Sequence, residues 1–305
     1  MSESNRVIGK ITKETVYGVT PTAATWDTIR WTGSSLNATP NTTESQEIRS
    51  DRMTVDMPKV GITVDGGFDF ELTPSTLDDL MEAVMCGTWT TDVLKVGTTN
   101  RSFTIEEEFA DIGKFINFKG MRANSLDLNI SFGEIITGSI TFAGNGYATP
   151  ASSAVGAGTL NAATTSEAMT ASSDIGTIKF DGVLTGICIK TLNLSINNNL
   201  RSIDCIGRET AKDQVKGKSS ITGSMEMYLT ADSFGIYEKM IGNDVIEIEY
   251  VVDDGVNSYT FLIPNAKLSG DAPRPEGLDS DVMLTANFTA LYDATESTNL
   301  KITRT

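Results

Sequence analysis

The sequence predicts a mainly β protein made of two tandem copies of one domain, each joining strands to a single α-helix. Three observations carry this: a segment that recurs without a gap, matching helix boundaries in both places, and a correspondence that continues outward. Val64 to Val84 reads VDGGFDFELTPSTLDDLMEAV, and Ile221 to Ile241 reads ITGSMEMYLTADSFGIYEKMI. Both hold a glycine (Gly66, Gly223), an alternating apolar series (Phe68, Phe70, Leu72 against Met225, Met227, Leu229) and a threonine (Thr73, Thr230). A helical stripe at i, i+3 and i+7 follows: Leu77, Leu80, Val84 against Phe234, Tyr237, Ile241.

The elements follow in order. Thr73 and Thr230 stand where a hydroxyl can accept the first free helix N–H groups, and Pro74 suits the first helical position. Gly87 and Gly242 are expected to close the helices through positive φ. Downstream, the acidic strand Phe103 to Phe109 resembles Val245 to Val251. The closing strands Ile136, Gly138, Ile140, Phe142 and Val282, Leu284, Ala286, Phe288 run in phase. Upstream, polar arms lead into both matching strands, Leu36 to Gly61 and Leu194 to Gly217. The repeated cores span about 14–148 and 175–293, near the usual domain size of roughly 100–150 residues. The expected division is 1–148 as the first domain with its N-terminal arm, 149–174 as a linker, and 175–305 as the second domain with a C-terminal tail. The linker is almost uncharged, with Leu160 and Met169 as its large apolar residues. It reads as a surface linker, with a strap against a neighbouring subunit as the alternative.

Composition narrows the chemistry. At 305 residues, 39% apolar and 21% charged, the chain can build cores. No apolar run approaches the roughly 20 residues that span a bilayer, and Met1 to Lys13 lacks a secretory apolar stretch, so a soluble protein made in a cytoplasm is expected. Cys86, Cys188 and Cys205 lack metal-ligand spacing and suit buried free thiols. Histidine is absent, which removes the commonest general base and every histidine-dependent triad. Asp253-Asp254 or Glu106-Glu107-Glu108 could serve carboxylate-only hydrolysis, but neighbouring acids on a strand point to opposite faces. Lys216-Gly217-Lys218-Ser219 has Lys212 where a phosphate loop needs its leading glycine. Gly144-Asn145-Gly146 and Gly156-Ala157-Gly158 have Thr149 and Asn161 in place of the third glycine of a dinucleotide fingerprint. No enzyme activity, cofactor or metal site is expected.

The strands are two-faced. Val64, Gly66, Phe68, Phe70 and Leu72 share one side, while Asp65, Gly67, Asp69 and Glu71 share the other. The second copy sets Thr222, Ser224, Glu226 and Tyr228 on its polar side, and the closing strands do likewise with Thr137, Ser139, Thr141 and Thr285, Asn287, Thr289. The run Glu14-Thr15-Val16-Tyr17-Gly18-Val19-Thr20-Pro21, then Trp26, Leu36, Ser45-Gln46-Glu47-Ile48-Arg49-Ser50-Asp51-Arg52, the Val64-to-Leu72 strand with its helix, and Trp89 resembles the tail tube proteins of long-tailed, non-contractile bacteriophages. The resemblance covers most of the first copy in order. The second copy departs from it, with Gly207-Arg208-Glu209-Thr210 where the second run belongs.

The resemblance implies a β-sandwich or half-barrel with a flanking helix in each copy. It implies a virion tail component, assembled in the host cytoplasm, whose rings stack into a tube that conducts DNA. Single-domain relatives form six-membered rings, so a duplicated chain is expected to form the same ring from three. Tape-measure and tail terminator or tip proteins are the other expected partners, with DNA passing through untethered. Asp65, Asp69, Glu71 and Glu226 are the expected lumen-facing acids. The polar arms, with Glu47, Arg49, Asp51, Arg52, Arg208 and Glu209, are expected to reach an adjacent ring. The formal net charge of −16 per chain gives 3 × −16 = −48 per ring, and an acidic wall does the reverse of what Lys and Arg do for phosphate. Two alternatives stay open: an inner tube protein of a contractile tail or related injection machine, and a duplicated adhesion or carbohydrate-binding module.

Overall fold

Alternation of apolar and polar residues is translated directly into the sheets of the computed structural model, which describes residues 2–151, 157–184, 186–275 and 277–305. In the strand Lys59–Glu71 every even residue from Ile62 to Phe70 except glycine is buried, whereas Asp65 and Asp69 are exposed. Strands dominate the element order, and there are two α-helices among the described residues, α1 (Asp78–Met85) and α2 (Ala231–Gly242).

In the first half, Lys59–Glu71 lies between Asn37–Thr42 and Thr137–Ala143, and the latter pairs with the end of the long strand Lys114–Ser131. The start of that long strand belongs to a second layer with Phe103–Phe109, Val7–Lys13 and Gly146–Ala151. A positive φ at Gly120 and a register shift between Ala123 and Ser125 mark the passage from one layer to the other. Phe103 of one layer meets Phe142 of the other edge-on, with centroids 6.3 Å apart.

The second half has the same wiring. Ser220–Tyr228 lies between Ile189–Asn197 and Met283–Ala290, which pairs with the end of Ser258–Ser269. Most of that strand, from Ser258 to Lys267, pairs with Val245–Asp253, which pairs with Ile175–Phe180. The registers also agree: Gly66, Phe68 and Phe70 face Phe142, Ile140 and Gly138, as Gly223, Met225 and Met227 face Phe288, Ala286 and Leu284.

The helices cover the apolar side of these sheets. α1 packs on Lys114–Ser131 and Ile189–Asn197, and α2 on Ser258–Ser269 and Met283–Ala290. Thr230 caps α2, accepting from Ser233 N–H while the Ser233 hydroxyl accepts from Thr230 N–H. Thr73 does not cap α1. Ser75 takes φ 62° and gives its N–H to the Tyr259 hydroxyl, so the helix starts at Asp78 and Pro74 lies outside it. The left-handed closing residues are Cys86 and Asn243, adjacent to the expected Gly87 and Gly242. Gly87 is needed for a different reason, because a Cβ there would lie 2.2 Å from the Lys95 carbonyl oxygen.

Two further expectations change. Cys86 is buried, but Cys188 and Cys205 are exposed. The 149–174 stretch is more than a surface linker: Ala157–Asn161 pairs in parallel with Ala23–Thr28. Met169 is buried, and its backbone bridges Leu72 and Ile136, so a single apolar side chain ties the stretch to the core. Gly156 lies outside the described residues.

Candidate functional site

The two halves meet edge to edge, and this seam carries a continuous polar face. The end of Lys114–Ser131 pairs antiparallel with Ile189–Asn197, Ser125 facing Asn197, Asp127 facing Ser195, Asn129 facing Asn193 and Ser131 facing Thr191. The sheet therefore runs without interruption through eight strand positions. These are the Gly33–Ser34 and Asn37–Thr42 edge, Lys59–Glu71, Thr137–Ala143, Lys114–Ser131, Ile189–Asn197, Ser220–Tyr228, Met283–Ala290 and the end of Ser258–Ser269.

Because side chains alternate, each register line across this sheet places like chemistry in a row. One row reads Asp69, Ser139, Asp127, Ser195, Thr222 and Thr289. The next reads Glu71, Thr137, Asn129, Asn193, Ser224 and Asn287. Asn193 donates to the Ser224 hydroxyl at 3.2 Å, and Ser125 shares a 2.7 Å hydrogen bond with Thr141. These rows line an open concavity of about 790 Å³, whose two charged lining residues are the carboxylates Asp69 and Asp127. Among the described residues no Lys or Arg lines it.

Of the expected lumenal acids, Asp69 faces this concavity, and Glu71 heads the next row without lining it. Asp65 lies farther along the strand, opposite Asn37 and Ala143. Glu226 is half-buried beside Thr285, with the Lys190 ammonium 3.6 Å away, so its charge is partly matched. Asp127 is the acid that the strand reading omitted. Its signal was present, since Leu126, Leu128 and Ile130 are buried and alternate with Ser125, Asp127, Asn129 and Ser131.

The arms differ from each other. Residues 43–58 form a hairpin, with Thr43 N–H donating to Pro58 and Ser45 N–H to Asp56. Its tip holds Glu47, Arg49, Asp51 and Arg52 exposed, with Arg49 pairing with Asp51 of the same turn, at 2.7 Å. The second arm pairs Arg201–Ile203 with Asp213–Val215 and rests on the first half. Ile62 N–H donates to the Glu209 carbonyl at 2.7 Å, Lys59 pairs with the Glu209 carboxylate at 2.9 Å, and Arg122 pairs with Asp213 at 2.9 Å. Arg208 lies beside them, lining a cleft with Ile62 and Thr63. Ile48 and Ile206, one on each tip, are fully exposed.

Among the described residues no group of three or more His, Cys, Asp or Glu could hold a metal ion. None of their helices is long and apolar enough to cross a membrane. The family model described as phage tail tube protein matches residues 4–290. No curated protein matches the chain.

Proposed function

Since the chain belongs to the phage tail tube protein family, and is thereby a tail component that self-assembles with other tail parts, we propose that it forms stacked rings of three whose polar bore conducts DNA. The observation that carries this reading is the seam. Two halves with the same strand wiring and the same register already sit side by side as neighbours in one sheet, so each chain fills two of six equivalent positions. In this reading the halves are duplicated tube domains, 1–148 and 175–305, joined by the 149–174 connection.

Closure is geometrically reasonable. Three chains of eight strand positions give 24, and at about 4.8 Å per strand the wall runs about 115 Å around. Side chains of about 5 Å then leave a bore about 27 Å across, enough for a duplex. Closing the ring also removes the exposed sheet edges that invite uncontrolled pairing.

The wall chemistry suits passage rather than binding. Tight DNA binders place Lys and Arg against phosphate to release counterions, whereas this face offers hydroxyls, amides and a few carboxylates. The exposed isoleucines at the arm tips, with Glu47, Arg49, Asp51 and Arg52, are suited to touching the next ring. The role is structural rather than enzymatic, and tape-measure, terminator and tip proteins are the partners such a tube requires. Negative-stain microscopy of the purified chain tests this reading. Hollow tubes or three-chain rings are the expected result, and particles that remain single at every concentration would refute it.

A further inference from the structure

The seam inside one chain specifies, residue by residue, the seam between two chains. This inference rests on the ring reading above and deepens it. Gly33 faces Asp69 and Asn37 faces Asp65 in the first half, as Thr191 faces Glu226 and Ser195 faces Thr222 in the second. The edge strand 33–42 therefore holds in the first half the place that Ile189–Asn197 holds in the second. At the other end of the sheet, Ser269 faces Asn287 as Ser125 faces Thr141, so Ser269 stands where Ser125 stands, and residues 270–275, which follow the end of that strand, are by count the counterparts of 126–131. The internal seam joins 124–131 to 191–197, yet the two equivalent edges, 33–42 and 268–275, have no strand against their outer sides among the described residues.

We infer that residues 268–275 of one chain pair antiparallel with residues 34–40 of the next, in a fixed register. Transferring the internal pairs Leu126 to Ile196, Asp127 to Ser195 and Leu128 to Leu194 sets Gly270 against Ala38, Asp271 against Asn37 and Ala272 against Leu36. Hydrogen-bond parity agrees. Phe132 N–H donates to Lys190 and Asn198 N–H to Asn124, so even-numbered residues exchange bonds across the internal seam. Their counterparts outside are Gly270, Ala272 and Arg274, all with N–H groups, while Pro273 and Pro275 fall on the inward positions, beyond the end of the ladder with Met283–Ala290 at Ser269. Along the other edge, Leu36 N–H turns to the Ser34 hydroxyl at 3.3 Å and Ala38 N–H to the Asn37 side chain at 2.8 Å, local partners that a neighbouring strand can replace. The transfer stops at Pro40, which has no N–H to offer.

The second arm lies along its own first half through Lys59 and Glu209, and the first arm would lie along the neighbouring chain in the same way.

The test uses disulfides, because residues in a non-hydrogen-bonded antiparallel pair have Cα atoms about 4.5 Å apart, inside the range a disulfide accepts. In full chains carrying Cys188→Ser and Cys205→Ser, Asn37→Cys chains are mixed with Asp271→Cys chains, assembled and oxidised. A covalent dimer at least tenfold above either chain alone is expected, and the double variant should give a closed covalent trimer. Tubes that form without the 37–271 disulfide overturn the register. As a second arm, Ala272→Pro removes an outward N–H and is expected to leave a folded chain that does not assemble, whereas Asp271→Pro removes an inward one and assembles. Ala272→Pro tubes at wild-type yield also overturn the inference. Wild-type chains that never form rings overturn the ring reading itself.

Discussion

The Tyr259 hydroxyl donates to the Asp78 carboxylate at 2.7 Å and accepts the Ser75 N–H at 2.9 Å, so a tyrosine of the second half fixes the start of the first half's helix. Asp78 also accepts from Arg304 at 2.6 Å, and the Arg304 guanidinium stacks over the Trp89 ring at 4.5 Å. Burial, followed by the neighbouring Asp78 carboxylate, pushes the Tyr259 phenol well above its ordinary value and keeps it neutral. Tyr259→Phe keeps the packing but leaves the Ser75 N–H without this partner, and is expected to cost about 1–3 kcal/mol in chemical denaturation of the protomer. An unchanged midpoint would mean that this link carries no stability.

The two threonines that look alike in sequence should behave differently. Thr230 closes a capping box on α2, so Thr230→Ala is expected to cost about 1 kcal/mol. Thr73 shares a 2.6 Å hydrogen bond with Thr76 in the turn before α1 and satisfies no helix N–H. Comparing Thr73→Ser with Thr230→Ser separates the roles by denaturation midpoint. Serine keeps the cap at 230, whereas Thr73 is fully buried and its methyl group is lost.

Asp69 and Asp127 flank Ser139 in one row of the concave face. Asp69→Lys with Asp127→Lys puts ammonium groups on the face proposed to line the bore and is expected to slow ejection from assembled particles. Raising salt should restore the rate, because screening over about 8–10 Å weakens phosphate attraction. Normal ejection at low salt from tails of full length would remove the wall chemistry from the account.

What the sequence disclosed follows from which interactions are local. Phe68, Phe70 and Leu72 alternate with acids because one face of their strand is buried, and that pattern is visible in the residues themselves. The Thr230 cap is a four-residue matter and was legible too. Thr73-Pro74 carries the same local signal, but a tyrosine 184 positions away takes the Ser75 N–H, and no periodicity reports it. Met169 likewise sits in a stretch too poor in apolar residues to announce burial. The seam was hidden for a related reason: 124–131 and 191–197 each alternate like any half-buried strand, and which edge meets which is decided by long-range packing of the two halves.

Glu107 offers a pH test. It is 8% exposed, and the Ser34 hydroxyl donates to its carboxylate at 2.6 Å. Burial raises its pKa above the ordinary 4.5, and the Ser34 hydrogen bond only partly offsets this. Between 4.5 and the raised value the folded chain holds a proton that the unfolded chain has lost, so stability falls as pH rises through that window and stays reduced above it. Below 4.5 both states are protonated and the penalty vanishes. Glu107→Gln removes the charge while keeping an oxygen for Ser34, so it is expected to be more stable than wild type at pH 7, with the difference shrinking toward pH 4. Denaturation midpoints of both proteins across that range decide it, and a difference that grows on acidification would show that the buried carboxylate stabilises the fold.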